Sequence, residues 1–146
     1  MPELLANPVF QATFFCWFVA QILKFLIELV YRRRVNFRLL TTAGGMPSSH
    51  SSAVSGLSTA IAIHDGVSSS LFVMSIVLAA ITMYDAAGVR RAASIQARIL
   101  NQIIDELFQG HPISETRLRE LLGHTPVEVF AGMTLGIVGA WWWLTR

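Results

Sequence analysis

Long apolar segments constrain this chain more than any other feature of its sequence. They run from Val9 to Tyr31, from Leu71 to Met83 with a weaker continuation to Ala87, and from Val127 to Leu144. A helix needs about 20 residues to cross the hydrocarbon core of a bilayer. The chain is 53% hydrophobic and 14% charged, whereas soluble domains carry roughly 25% charged residues. We therefore predict an integral membrane protein.

The predicted fold is an all-α membrane helical bundle with about four membrane helices, forming a single domain over residues 1–146. The second helix is short and rich in Ser, Gly and Thr, so we expect other helices to shield it from lipid. The expected positions are roughly 8–32 for the first helix, from near Ser49 to before His64 for the second, from near Ser69 for the third, and after Thr125-Pro126 for the fourth.

An amphipathic stretch follows the third membrane helix. Its apolar residues recur at helical spacing on one face and its polar residues on the other. We expect the third helix to continue through this stretch as a cytoplasmic extension. The polar face comprises Arg90, Ser94, Arg98, Asn101 and Asp105, and the apolar face comprises Ala92, Ile95, Ile99 and Ile103.

The distribution of basic residues predicts the orientation. Nine of the 11 Lys and Arg residues lie in segments 32–38 and 90–119, which four crossings place on one side of the membrane. Basic loops favour the cytoplasmic side. We therefore expect a protein of the inner plasma membrane whose functional groups face the cytoplasm.

A glycine pair, a turn and a serine-rich helix start form the first group of candidate functional residues, within 44–52. Ser48 or Ser49 is a good N-cap, and a helix N-terminus offers backbone N–H groups to an anion. His50 can exchange a proton near neutral pH. The alternative is a well-capped membrane helix with an interfacial histidine.

The second group is at the start of the fourth helix. His124 and Glu128 are four residues apart, so on a helix they share a face. A carboxylate bound to one ring nitrogen fixes the tautomer and leaves the other nitrogen as a nucleophile or base. Thr125 and Glu128 also fit a capping box with Pro126 at the first helical position. The two interpretations can hold together.

Charged residues within or beside the apolar segments form the third group. Asp85, Arg90 and Arg91 lie where an apolar segment ends, and Lys24 lies inside the first one. Ionisable groups inside a membrane are costly and usually functional. The alternatives are that the arginines anchor the helix end with Asp85 paired to one of them, and that Lys24 extends to the interface or pairs with Glu28.

Together these segments resemble the type 2 phosphatidic acid phosphatase superfamily, which includes the vanadium haloperoxidases. The similarity is greatest to its small divergent branch of bacterial and plant membrane proteins and covers about Lys24 to Gly136. The family motif Pro-Ser-Gly-His is matched by Pro47-Ser48-Ser49-His50. Its motif His-x-Pro-x-Asp-Val-x-Ala-Gly is matched by residues 124–132, with Glu128 in place of Asp.

Three features depart from the family pattern. The spacing from Lys24 to Arg32 is one residue too long for the first motif, and the arginine expected six residues before His124 is replaced by Leu118. Arg119, or Arg90 and Arg91, would then bind phosphate. The family usually has six membrane helices, so four imply a reduced core or a homodimer that completes it.

The resemblance implies a metal-independent and cofactor-free phosphatase for a lipid phosphate or diphosphate. The catalytic residues would be His124 as nucleophile, His50 as acid and Glu128 as the partner of His124. The expected partners are a lipid substrate and the bilayer, with no nucleic acid. The alternative function is a non-catalytic protein that binds phosphate or lipid headgroups, or a transporter component. The expected phosphate-binding residues are Lys24, Ser48, Ser49, Arg90, Arg91 and Arg119.

Overall fold

The computed structural model describes residues 2–32, 45–107 and 123–146, and at positions 31, 32, 90, 91, 94 and 105–107 it describes the backbone alone. In these ranges the chain is helical, as the sequence predicts. The helices are α1 (Pro2–Ala6), α2 (Pro8–Arg32), α3 (Ser49–His64), α4 (Ser70–Ala87), α5 (Val89–Leu107) and α6 (Pro126–Leu144).

Three of the helices are long and apolar enough to cross a membrane, over Pro8–Val30, Ser70–Ala87 and Pro126–Leu144. Their outward faces carry large apolar side chains. Phe14 is 52% exposed and Val138 is 56% exposed. Such a surface is unfavourable in water and suits the hydrocarbon core of a bilayer. The predicted membrane bundle is confirmed.

The short helix α3 lies at the centre of the bundle, against α2, α4 and α6. Its 16 residues span about 24 Å, less than the roughly 30 Å hydrocarbon core. Its hydroxyl groups bond to backbone carbonyls, as Ser58 Oγ does to Val54 O at 3.0 Å. The shielding expected for this helix is observed. Its buried residues are Ser49, Ser51, Ser52, Ser55, Gly56, Ser58 and Ala60.

Small residues allow α6 to approach α3 backbone to backbone. A Cβ atom added at Gly132 would collide with the carbonyl of Ser48, and one at Gly136 would collide with that of Ser52. Close approach through small residues is the common way in which membrane helices pack. The small-residue face of α6 therefore packs within the chain. Ala140 extends this face into a core cluster with Ala12, Cys16 and Ala60.

The contacts between helices fix which ends of the bundle coincide. The Ser52 hydroxyl donates to Cys16 O at 3.0 Å, where α2 and α3 run antiparallel. Phe15 stacks on Trp143 at 4.6 Å between ring centroids, so α6 also runs antiparallel to α2. As a result, the end of α2, the start of α3, the end of α4 and the start of α6 meet at one end of the bundle, hereafter the site end.

The helical extension predicted after the third membrane helix is present, and a one-residue break at Gly88 separates it from the membrane span. The helix α4 ends at Ala87, where the Gly88 amide donates to Tyr84 O at 2.9 Å, and a separate helix begins at Val89. Gly88 has ψ −79°, well away from the helical value of about −42°. The amphipathic stretch is therefore a helix of its own, α5.

Candidate functional site

His124 is held in place at the site end by its own backbone. It precedes α6, is 3% exposed, and donates its amide to Ala86 O at 3.1 Å. The last carbonyls of a helix have no intrahelical partner. The interruption after Ala87 thus provides an acceptor that fixes His124 against the end of α4.

The Glu128 carboxylate joins His124 to the start of α6. Its Oε2 atom lies 3.2 Å from Nδ1 of His124 and accepts the Thr125 amide at 2.9 Å. The Glu128 amide donates to the Thr125 hydroxyl at 3.3 Å, which completes a capping box. Both interpretations of this motif therefore hold, and the same carboxylate oxygen serves both interactions.

The sequence argument for the contact between His124 and Glu128 requires one correction. We expected the two residues to share a helix face, but His124 precedes the N-cap residue Thr125 and lies outside the helix. The capping box turns the Glu128 carboxylate back toward the preceding residues, and His124 lies there. The four-residue spacing places the pair correctly for a different geometric reason.

This contact defines the chemistry open to the His124 ring. An ionised carboxylate only accepts hydrogen bonds, so it favours the tautomer with the proton on Nδ1. The lone pair is then on Nε2, which makes that atom the one able to attack or to accept a proton. The His124 side chain is 4% exposed and the Glu128 side chain 21% exposed. Solvent therefore screens the electrostatic attraction between them only weakly.

The start of α3 is tied to the same place. Ser48 is the N-cap, and its hydroxyl accepts the Ser51 amide at 3.3 Å and the Ser51 hydroxyl at 3.0 Å. The Ser48 amide donates to Glu128 O at 3.0 Å. Because that N–H is engaged, an anion at this helix start would be met by the next amides of the first turn. Ser49, the first of them, is 4% exposed.

Lys24 extends to the site from the membrane helix α2. Its side chain is 3% exposed and lies over Gly45, where an added Cβ atom would stand 3.2 Å from Lys24 Cε. Gly45 has φ +88°, a conformation that L side chains rarely adopt. The negative charge of the Glu128 carboxylate attracts the Lys24 ammonium. Lys24 therefore lies with the glycine loop and the capping box of α6.

The remaining predicted residues are placed less completely. His50 is exposed in the first turn of α3, and Asp85 is partly buried near the end of α4. Arg90 and Arg91 belong to the first turn of α5, directly after the segment that holds His124, and only their backbone is described. Arg119 lies outside the described residues.

Two positioning contacts were not predicted from the sequence. Ala86 holds His124 through a backbone carbonyl, and Gly45 gives space to the Lys24 side chain. The glycine pair at 44–45 does indicate a close approach to backbone, but it does not identify the approaching group. Every residue has a backbone carbonyl, so the sequence does not show that the carbonyl of Ala86 accepts this bond.

Within the described ranges, no three His, Cys, Asp or Glu side chains come together in a way that could hold a metal ion. Catalysis without a metal stays a prediction, for which chelation is the test.

Comparisons with known proteins agree with the membrane fold. The model of the divergent PAP2 family matches residues 5–139. The uncharacterized membrane protein YuiD of Bacillus subtilis is 40% identical over 147 residues, which cover 93% of this chain and 93% of that protein. No solved structure matches the chain significantly.

Proposed function

Since the chain belongs to the divergent PAP2 family, we propose that it is a lipid phosphatase acting through a phosphohistidine intermediate without a metal ion. The single observation that carries the proposal is the buried His124 ring with its Nδ1 atom 3.2 Å from the Glu128 carboxylate. That arrangement orients a ring nitrogen for nucleophilic attack.

In the first step, Nε2 of His124 attacks phosphorus and the bond from phosphorus to the lipid alkoxide breaks. The imidazole becomes positively charged as the new N–P bond forms, and the nearby Glu128 carboxylate stabilises that charge. His50 gives its proton to the departing alkoxide, which leaves as an alcohol. The exposed position of His50 in the first turn of α3 is compatible with contact to a group entering from outside the bundle.

In the second step, water hydrolyses the phosphohistidine. The neutral His50 takes a proton from the water, whose oxygen attacks phosphorus as the N–P bond breaks and returns the electron pair to Nε2. The products are inorganic phosphate and the starting form of His124. Because His50 acts as the acid in the first step and as the base in the second, the mechanism requires it on the side of phosphorus opposite His124.

Fixed cations would neutralise the phosphate during both steps. Lys24 is buried beside the glycine loop at the site end, and Arg90 and Arg91 follow the α4 segment that holds His124. We assign phosphate binding to these residues, to Arg119, and to the start of α3 with Ser48 and Ser49. Positive groups aimed at the equatorial oxygens stabilise the transition state without proton transfer.

The location of the site favours a lipid substrate. His124 and Arg90 lie next to the ends of membrane spans in the sequence, so a headgroup can enter from the interface while its acyl chains stay in the bilayer. For a protein of the plasma (inner) membrane, the positive-inside rule predicts that the site end faces the cytoplasm. A lipid phosphate or diphosphate made on that side would be the substrate.

The deciding experiment is release of inorganic phosphate by the purified full chain in detergent micelles. The substrates are phosphatidate, phosphatidylglycerophosphate and a polyprenyl diphosphate, each assayed with and without EDTA. We expect turnover of at least one that survives EDTA and is inhibited by vanadate, which mimics the trigonal-bipyramidal phosphate. Loss of turnover on chelation that Mg²⁺ restores would contradict the metal-independent mechanism. Binding without turnover would favour a headgroup-binding protein.

Variants of the two histidines separate their roles. The variant His124→Ala should lose all turnover, since the proposed intermediate forms on Nε2 of that residue. The variant His50→Ala should keep slow hydrolysis of esters with good leaving groups, because these need little protonation. Near wild-type activity of folded His124→Ala protein would contradict the proposal.

A further inference from the structure

The helix α5 presents a broad apolar face that no described helix covers. At 100° per residue its apolar positions occupy about 200° of the circumference, interrupted by Gln96 and, toward the end of the helix, by Glu106. Among the described helices, α5 contacts α4 alone. The exposed fractions along this face are 59% for Val89, 47% for Ile95, 49% for Ile99, 48% for Leu100, 44% for Ile103 and 37% for Ile104.

The position of α5 in the chain limits what can cover this face. Val89 follows the membrane span that ends at Ala87 by two residues, so α5 starts at the membrane surface. The outward face of α4 is apolar to its end, with Ile81 62% and Tyr84 76% exposed. The exposed apolar surface of the span thus continues directly onto α5.

The charges of α5 fit the same surroundings. Its three arginines are at positions 90, 91 and 98, between its start and its midpoint, and its two acidic residues are at 105 and 106. By helical position Arg91 and Arg98 fall opposite the centre of the apolar face, and Arg90 falls beside its edge. Basic residues on the polar face of an amphipathic helix are attracted to anionic lipid headgroups.

We propose that α5 lies on the bilayer, with its apolar face among the lipid headgroups and upper acyl chains and Arg98, on the opposite face, toward anionic phosphates. A helix whose apolar sector covers about half its circumference fits a planar lipid surface better than the narrow seam of a coiled coil. In this position α5 lies on the membrane surface beside the site end. The inference is independent of the proposed phosphatase activity.

Spin labels on α5 of the full chain in vesicles of phosphatidylcholine and phosphatidylglycerol test the position. Single cysteines replace Leu100 and Ile103 on the apolar face, and Ser94 and Arg98 on the polar face. Cys16 is 1% exposed, so the unmodified chain serves as the unlabelled control. Collisions with oxygen report lipid, and collisions with a water-soluble nickel chelate report water.

We expect the oxygen-to-nickel collision ratio to be several-fold higher at L100C and I103C than at S94C and R98C. Ratios that favour nickel at all four positions would overturn the proposal, since α5 would then extend into water. Spin–spin broadening at L100C or I103C that disappears on dilution with unlabelled protein would also overturn it, because a second copy would cover the face. The labels report position and not turnover, so this result is separable from that of the phosphatase assay.

Discussion

The carboxylate of Glu128 has two roles that substitution can separate. Gln at the third position of a helix still completes a capping box, so Glu128→Gln should keep the fold. It removes the negative charge 3.2 Å from His124 Nδ1. We expect kcat to fall by about 10² to 10⁴, as for loss of the carboxylate that orients a catalytic histidine, with little change in Tm.

Thr125→Ala is the matched control. It removes the hydroxyl that accepts the Glu128 amide and leaves the carboxylate beside His124. Loss of an N-cap side chain costs about 1 kcal/mol, so thermal unfolding in detergent should move to lower temperature while kcat changes little. Equal loss of activity in both variants would mean that activity depends on the helix cap and not on the negative charge of Glu128 beside His124.

Lys24 is a second position where function and packing can be distinguished. Lys24→Met keeps the length of the buried side chain and removes its charge beside Gly45 and Glu128. If Lys24 binds phosphate, kcat/KM should fall by about 10² or more, as when one transition-state donor is lost. Phosphate release from a lipid phosphate by the purified variant is the measurement.

Glu28→Gln distinguishes the alternative in which Lys24 serves only an ion pair one turn along α2. It should leave kcat/KM close to wild type, because Glu28 is not among the proposed phosphate-binding residues. If instead Lys24→Met and Glu28→Gln lose the same amount of stability and neither loses activity, Lys24 is a structural residue.

Side-chain signals in the sequence predict much of the site, and backbone contacts explain what they miss. His124, Glu128 and the Ser48 cap are recognisable because imidazole, carboxylate and hydroxyl groups at fixed spacing have few uses. The Ala86 carbonyl and the bond from the Ser48 amide to Glu128 O have no such signature. They depend on how α3, α4 and α6 meet, which spacing along one chain does not determine.

Among the elements, the contact of α6 with α3 has the least tolerance for added atoms. At Gly136 an added Cβ atom would meet the Ser52 carbonyl and lie 2.9 Å from the Gly56 amide, both of which are backbone. Neither can move without shifting a helix. We expect Gly136→Ala to destabilise the bundle by about 1–3 kcal/mol, the usual cost of overpacking, and Gly136→Leu by more.

Thermal unfolding of the variants in one detergent measures this effect. Thr134→Ala, an exposed position on the same helix, is the control and should leave Tm nearly unchanged. Because Gly136 packs within the chain, the three variants should have the same oligomeric state as the unmodified protein at low temperature. An unchanged Tm for Gly136→Leu would contradict the packing described for α3 and α6.

Helix boundaries are predicted well where a cap marks them and poorly where only tertiary contact does. Ser48 and Thr125 cap α3 and α6 close to the predicted starts. The break at Gly88 was missed because helical periodicity continues across it from α4 into α5. A single glycine is tolerated in many helices, so its position alone does not predict a new helix. The acceptor that the break provides for His124 is visible only in three dimensions.

At the scale of the whole molecule, the antiparallel and parallel helix contacts bring four chain segments to one end of the bundle. Lys24, the Gly45 loop, the Ser48 cap and His124 are separated in sequence and meet there. The order of crossings predicts this result, since one helix exits where the next enters. The sequence does not predict which helix is central; that role belongs to α3 because its small residues allow three neighbours to approach.

The side of the membrane that the site end faces is the last prediction. Basic segments near the site end place it in the cytoplasm by the positive-inside rule, and the turn between α3 and α4 should then face outward. Single cysteines at Met46, 43% exposed at the site end, and at Ser68, exposed in that turn, report the two sides. In intact cells, a membrane-impermeant maleimide should label Ser68→Cys at once and Met46→Cys only after permeabilisation. The buried Cys16 of the unmodified chain should remain unlabelled throughout. The reverse pattern would place the site outside and restrict its substrates to lipids of the outer leaflet.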